Sequence, residues 1–169
     1  MYLWKTVFVL GVLMVFVVGC GPKRPAGIPP LYPAKVTVKN ETSPIAGATV
    51  FLIYQGTTSG SWAINGVTNS SGVATMTTSQ GEWKSNGVPE GEYKVYITKR
   101  PDIKEDPMPE EIKGDSDAMH RFAGEQLRKL NEAPKIIPEI LSNPAQSPLT
   151  LTVSTSGSSE LVVDISEHL

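Results

Sequence analysis

The stretch VPEGEYKVYIT, residues 88–98, decides the fold. Pro89 and Gly91 punctuate its start. Proline fixes φ at about −65°, and glycine reaches backbone conformations that other residues avoid. From Tyr93 onward the pattern has period two. Tyr93, Val95 and Ile97 alternate with Lys94, Tyr96 and Thr98. Successive side chains of a strand point to opposite faces, so this is a half-buried strand with Tyr93, Val95 and Ile97 turned inward.

Working outward, the same grammar recurs. Val36 and Val38 alternate with Lys35, Thr37 and Lys39. Residues 48–54, ATVFLIY, are apolar on both faces, as a central strand requires. Residues 61–68 form a weaker strand holding Trp62 and Ile64, and residues 73–78 a short threonine-rich one. Near the end, Leu149, Leu151 and Val153 alternate with Thr150, Thr152 and Ser154, and Leu161, Val163 and Ile165 form a last inward set. Turn residues separate these runs: Gly47, the segment NSSG at 69–72, and Pro89-Glu90-Gly91. Seven short strands with this punctuation predict an all-β protein, a β-sandwich.

One segment breaks the rhythm. Residues 100–148 are charged and proline-rich, with one helical piece near 116–131. Met119, Phe122, Leu127 and Leu130 approximate one helical face, and Asp115 or Ser116 can cap it. The segment reads as an insertion between strands five and six, laid against the sandwich.

Three phrases carry a family resemblance: AGATVFL (46–52), TNSSGVATM (68–76) and VPEGEYKVYI (88–97). Together they resemble the carboxypeptidase regulatory-like domain, a transthyretin-like (prealbumin-like) module. The resemblance implies a seven-stranded Greek-key sandwich and an accessory, non-catalytic role. Small bacterial lipoproteins of this type often carry Ile-Pro-x-x-Tyr before the penultimate strand. Here Ile137-Pro138 is followed by Glu139, Ile140 and Leu141, without the tyrosine.

The N-terminus speaks to location. Residues 7–18 are apolar except for Gly11, and Lys5 is the one charge before them. A bilayer span needs about 20 apolar residues, so this run reads as a signal peptide. Val17-Val18-Gly19-Cys20 resembles the lipobox of bacterial lipoproteins, with Val17 in place of the usual leucine. That resemblance makes Val17, Val18 and Gly19 the signal-peptidase recognition residues. It makes Cys20 the lipidated residue, anchored to the membrane by acyl chains such as palmitate. The expected organisation is a leader at 1–19, a proline-rich tether at 20–33 and a domain at 34–169. Gly21 after Cys20 points, by the same resemblance, to the outer membrane where a cell has two. The tether holds five prolines, Pro22, Pro25, Pro29, Pro30 and Pro33, which favour an extended chain.

Composition excludes several functions. Removing Lys5 with the leader leaves 14 basic residues against 17 acidic ones, a net charge of −3. No basic block interleaves with aromatics, so nucleic acid is not an expected partner. Cys20 is the one cysteine of 169 residues; once lipidated it leaves no thiol for a disulfide, a metal or a nucleophile. His120 and His168 lack ligand spacing, no Gly-x-Ser-x-Gly occurs, and Asp115-Ser116-Asp117 lacks the continuation of a calcium loop. No catalytic residue, metal or cofactor is expected. Strand phase argues against an amide cross-link from Lys35 or Lys39 to Asp164, because it turns all three side chains outward. The acidic run 102–111 reads as a solvated loop. Trp62 and Trp83, with Tyr54 and Tyr96 near them, are the candidate ligand contacts, since exposed tryptophan faces stack on sugar rings. The expected function is a structural or protein-interaction module of the cell envelope, facing the periplasm or the exterior. The alternative is a glycan- or small-ligand-binding module using these tryptophans.

Overall fold

The inward set of the opening stretch is buried as its phase requires: Tyr93, Val95 and Ile97 have no accessible surface. The structure is a computed structural model that describes residues 24–57, 60–102 and 106–168. Cys20 and the lipobox residues Val17, Val18 and Gly19 lie outside the described residues. Twelve strands occur among the described residues. They are β1 (Leu31–Tyr32), β2 (Ala34–Asn40), β3 (Ser43–Pro44), β4 (Thr49–Tyr54), β5 (Ala63–Val67) and β6 (Val73–Thr75), then β7 (Thr77–Gln80), β8 (Trp83–Asn86), β9 (Val88–Pro89), β10 (Gly91–Thr98), β11 (Thr150–Val153) and β12 (Ser159–Asp164).

A six-stranded sheet has the order β11-β10-β4-β5-β7-β8. Facing it, β12, β2 and β3 form a second sheet in which β6 also pairs with β2, and β1 with β9 makes a two-stranded piece. Val36, Val38, Ala74 and Val163 of the second sheet meet Val50, Leu52, Ile64 and Val95 of the first in one buried cluster. These inner faces are what the sandwich removes from water, at about 25 cal/mol per Å² of apolar surface. β12 pairs with β2 in parallel, with Asp164 opposite Lys39.

Seven strands were expected and the count is higher, for local reasons. The run 73–78 is split at Met76, which is fully buried at a corner between the sheets. Its N–H donates to the Ala34 carbonyl (3.0 Å), and its own carbonyl accepts from Gly87 N–H (2.9 Å). The strand therefore leaves one sheet and joins the other. β1, β3 and β9 are two residues long, too short for any alternation to show. β8 reads WKSN, with one apolar residue in four, so period two was invisible there.

The proline-rich segment also ends sooner than its composition suggested. Ile28 is buried, and Leu31 and Tyr32 pair with Pro89 and Val88. The body thus begins before Ala34.

The insertion contains α1 (Ser116–Glu132) and α2 (Glu139–Ser142). Asp115 is the cap of α1, accepting from Ala118 N–H at 3.0 Å. Within the insertion, none of the 17 residues of α1 is buried, and Met119, Phe122 and Leu130 are half-buried. The part of the insertion that enters the core is the later one, where Ile137 and Leu141 join the buried cluster. Pro138 stands at the start of α2, where a missing N–H costs nothing. Ser147 Oγ donates to the Val95 carbonyl and Lys94 Nζ to the Ala145 carbonyl (3.0 Å), so the returning chain is fastened along β10. Leu141 is fully buried.

Two poles follow from the pairing. The chain enters beside Pro89, at the start of β10, the end of β4 and the turn between β11 and β12. The insertion leaves from Thr98, at the other end of β10.

Candidate functional site

Of the residues singled out by sequence, Tyr54, Trp62 and Trp83 share one rung of the six-stranded sheet, and Tyr96 stands apart. Tyr93 pairs with Tyr54, Leu52 with Ile64, Ile64 with Thr78, and Gln80 with Trp83. Continuing that register brings Trp62 alongside Tyr54 and Gln80, on the inner face at the entry pole. Gln80 Nε2 donates to Ser61 Oγ, next to Trp62. Trp62 packs against the core cluster, and Gly60 lies against its ring so closely that a Cβ there would sit 1.5 Å from it. Trp83 is half-buried on β8, the edge strand. A recess of about 210 Å³ lies between Tyr54, Trp62, Gly60 and Ile53. Trp62 is therefore a lid on the core, and its indole face is spent on Gly60. Tyr96 lies elsewhere, on the outer face of the six-stranded sheet, stacked on Phe51 at 4.7 Å.

Lys39 and Asp164 point outward, as phase required, yet outward is where they meet: Nζ and Oδ2 are 3.0 Å apart. Asp164 Oδ1 also accepts from the Ser166 hydroxyl (2.7 Å), Ser166 N–H (3.1 Å) and Glu41 N–H (2.9 Å). The Ser166 hydroxyl, then the Glu41 N–H, then Lys39 hold its carboxyl well below the usual carboxylate range. Glu41 has φ of 55°, so the carboxylate fastens a strained turn between β2 and β3. The pair is an ion pair closing the ends of two parallel strands. Lys35 faces Glu160 at 4.0 Å in the same manner.

His120 is exposed on α1, and no cluster of three potential metal-ligating side chains occurs among the described residues. No helix among the described residues is long and apolar enough to cross a membrane.

The feature that does stand out is on the insertion. Phe122, Ala123, Leu127 and Leu130 of α1 line a groove of about 390 Å³ whose other wall is Met108, with Arg100 and Asp106 at its rim. Leu127 is 57% exposed and Met108 40%. The wall is held by Asp106, which accepts from Lys129 Nζ at 2.8 Å and contacts Gln126 Nε2 at 3.4 Å. That bond raises the pKa of Lys129. The described residues of the acidic run are exposed, and two of its carboxylates form surface pairs, Asp102 with Lys99 and Asp106 with Lys129. Sequence reasoning found the helical face but missed Met108. A lone apolar residue between Pro107 and Pro109 was the available signal.

Among solved structures, the chain is similar to the crystal structure of a variant of BcpA, the major pilin subunit of Bacillus cereus. The two share 15% identity with a TM-score of 0.41, over 81% of this chain and 30% of the pilin chain. The chain thus matches less than a third of that pilin's length. No protein-family model and no curated protein matches the chain.

Proposed function

We propose that this chain is a non-enzymatic, lipid-anchored protein of the bacterial cell envelope whose sandwich serves as a structural or protein-interaction module. The observation that carries the interaction role is the groove on α1. No residue of the 17-residue α1 is buried, and Met119, Phe122 and Leu130 are half-buried, so its apolar face is only partly covered by the rest of the chain. Apolar surface left uncovered in this way marks a contact surface more often than a core. The anchoring half of the proposal rests on the leader pattern, on the lipobox-like Val17-Val18-Gly19 and on Cys20. The resemblance to the carboxypeptidase regulatory-like domain supports an accessory role. A glycan-binding role through Trp62 and Trp83 has weaker support, because Trp62 is committed to the core and to Gly60.

The test is a photo-crosslinking residue at Leu127, with the same residue at Glu160 on β12 as control, in cells carrying the full chain. A discrete adduct is expected at Leu127 and none of the same mass at Glu160. The Leu127→Glu substitution, with the crosslinker moved to Met108, should reduce the adduct at least tenfold. It should change stability by less than about 0.5 kcal/mol, as surface substitutions do. Identical adduct patterns at both positions, or none at Leu127, would count against the interaction role.

A further inference from the structure

The geometry points to a preferred polarity of the anchored molecule: its entry pole lies nearer the membrane surface and its insertion is carried on the far side. This inference rests on the lipid-anchor reading above. Its other grounds are where the chain enters the body and how little chain is left to reach the anchor.

Ile28 is buried, so the body is reached eight residues after Cys20. Whatever its conformation, a chain of eight residues spans at most about 29 Å at 3.6 Å per residue. Leu31 and Tyr32 lie at the pole formed by the start of β10, the end of β4 and the β11–β12 turn, and Ile28 stands three residues before Leu31. Pro29 and Pro30 sit between the buried Ile28 and the paired Leu31, and two consecutive prolines leave the chain few ways to fold back. β10 has eight residues, about 26 Å at 3.3 Å per residue, and the insertion starts at its other end. The apolar groove of α1, whose lining includes Arg100 two residues past Thr98, therefore lies toward the end of β10 opposite the entry pole. Such an arrangement biases Met108 and Leu127 away from the lipid that an exposed apolar helix face would otherwise enter. It presents them to a protein on the far side instead.

The experiment uses the full lipidated chain in vesicles of neutral phospholipid carrying a headgroup-attached quencher. Cys20 is the one native cysteine and is consumed by lipid, so S156C in the β11–β12 turn and E125C on α1 each accept a single fluorophore. Both native residues are exposed. Flotation with the vesicles is measured first, then quenching. The expected result is flotation of both variants, with quenching at position 156 at least threefold stronger than at position 125. Flotation with equal or reversed quenching would overturn the polarity while leaving the anchor intact. Failure to float, with C20S behaving identically, would overturn the anchor and the polarity together.

Discussion

Replacing Tyr93 by alanine is expected to destabilise the protein by about 3–5 kcal/mol, the range for removing a large buried ring. The side chain has no accessible surface and sits in the main cluster. Its ring lies 5.4 Å from that of Tyr54. Its hydroxyl donates to the Pro89 carbonyl four residues upstream, at 2.8 Å. That bond fixes the bend into β10, as a tyrosine corner does in other sandwiches. The Tyr93→Phe substitution separates the two effects. It keeps the ring and removes the hydroxyl, so a loss of about 1–1.5 kcal/mol is expected. Burial, and to a lesser extent Tyr54, pushes the Tyr93 phenol well above its ordinary value. A raised value means that the folded state holds the proton more tightly than the unfolded one. The contribution is complete below about pH 10, where an unfolded tyrosine titrates, and is lost as pH climbs toward the folded value. Denaturant titrations between pH 9 and about pH 11 should show a falling stability whose slope is reduced in Tyr93→Phe. An unchanged slope would show that Tyr93 titrates alike in both states.

The second large effect is expected at Gly72. Its φ is +74°, and a Cβ there would lie 2.5 Å from the Val38 carbonyl oxygen. That carbonyl accepts from Ile45 N–H, and Val38 N–H donates to the Gly72 carbonyl (2.8 Å), so neither backbone can retreat. Gly72→Val is therefore expected to cost about 2–5 kcal/mol, the left-handed strain of about 1–2 plus overpacking of about 1–3. Gly157 is the control. Its φ is +85° with nothing within 4 Å, so Gly157→Ala should show the strain alone, about 1 kcal/mol. Equal losses at the two positions in urea melts would contradict the close approach at Gly72.

These two residues also mark how far the sequence was readable. Tyr93, Val95 and Ile97 declared their face because a long strand with one wet side must alternate. Val36 and Val38 did the same against Lys35 and Lys39. Gly72 was legible as a turn, though its packing against Val38 was not, since sequence carries no record of which backbone passes nearby. The short strands β1, β3 and β9 are set by tertiary pairing alone and left no local pattern. The candidate site divides the same way. The apolar face of α1 was visible from helical spacing, but periodicity says only that a face exists, not whether the domain covers it. Burial of Ile137 and Leu141, rather than Met119 or Phe122, decided that question. Trp62 and Trp83 were picked for their chemistry, and residue type alone could not reveal that Gly60 lies on the Trp62 ring.

Native-state hydrogen exchange on a fragment beginning at Lys23 tests most directly whether the sandwich is complete without the helix. Amides of β2, β4 and β10 should exchange only by global unfolding, because their ladders lie at the centre of the two sheets. Amides of α1 should exchange through local opening at least a hundredfold faster, since none of its residues is buried. Protection of α1 equal to that of β10 would contradict the account, placing the helix in the core and leaving no free face for a partner.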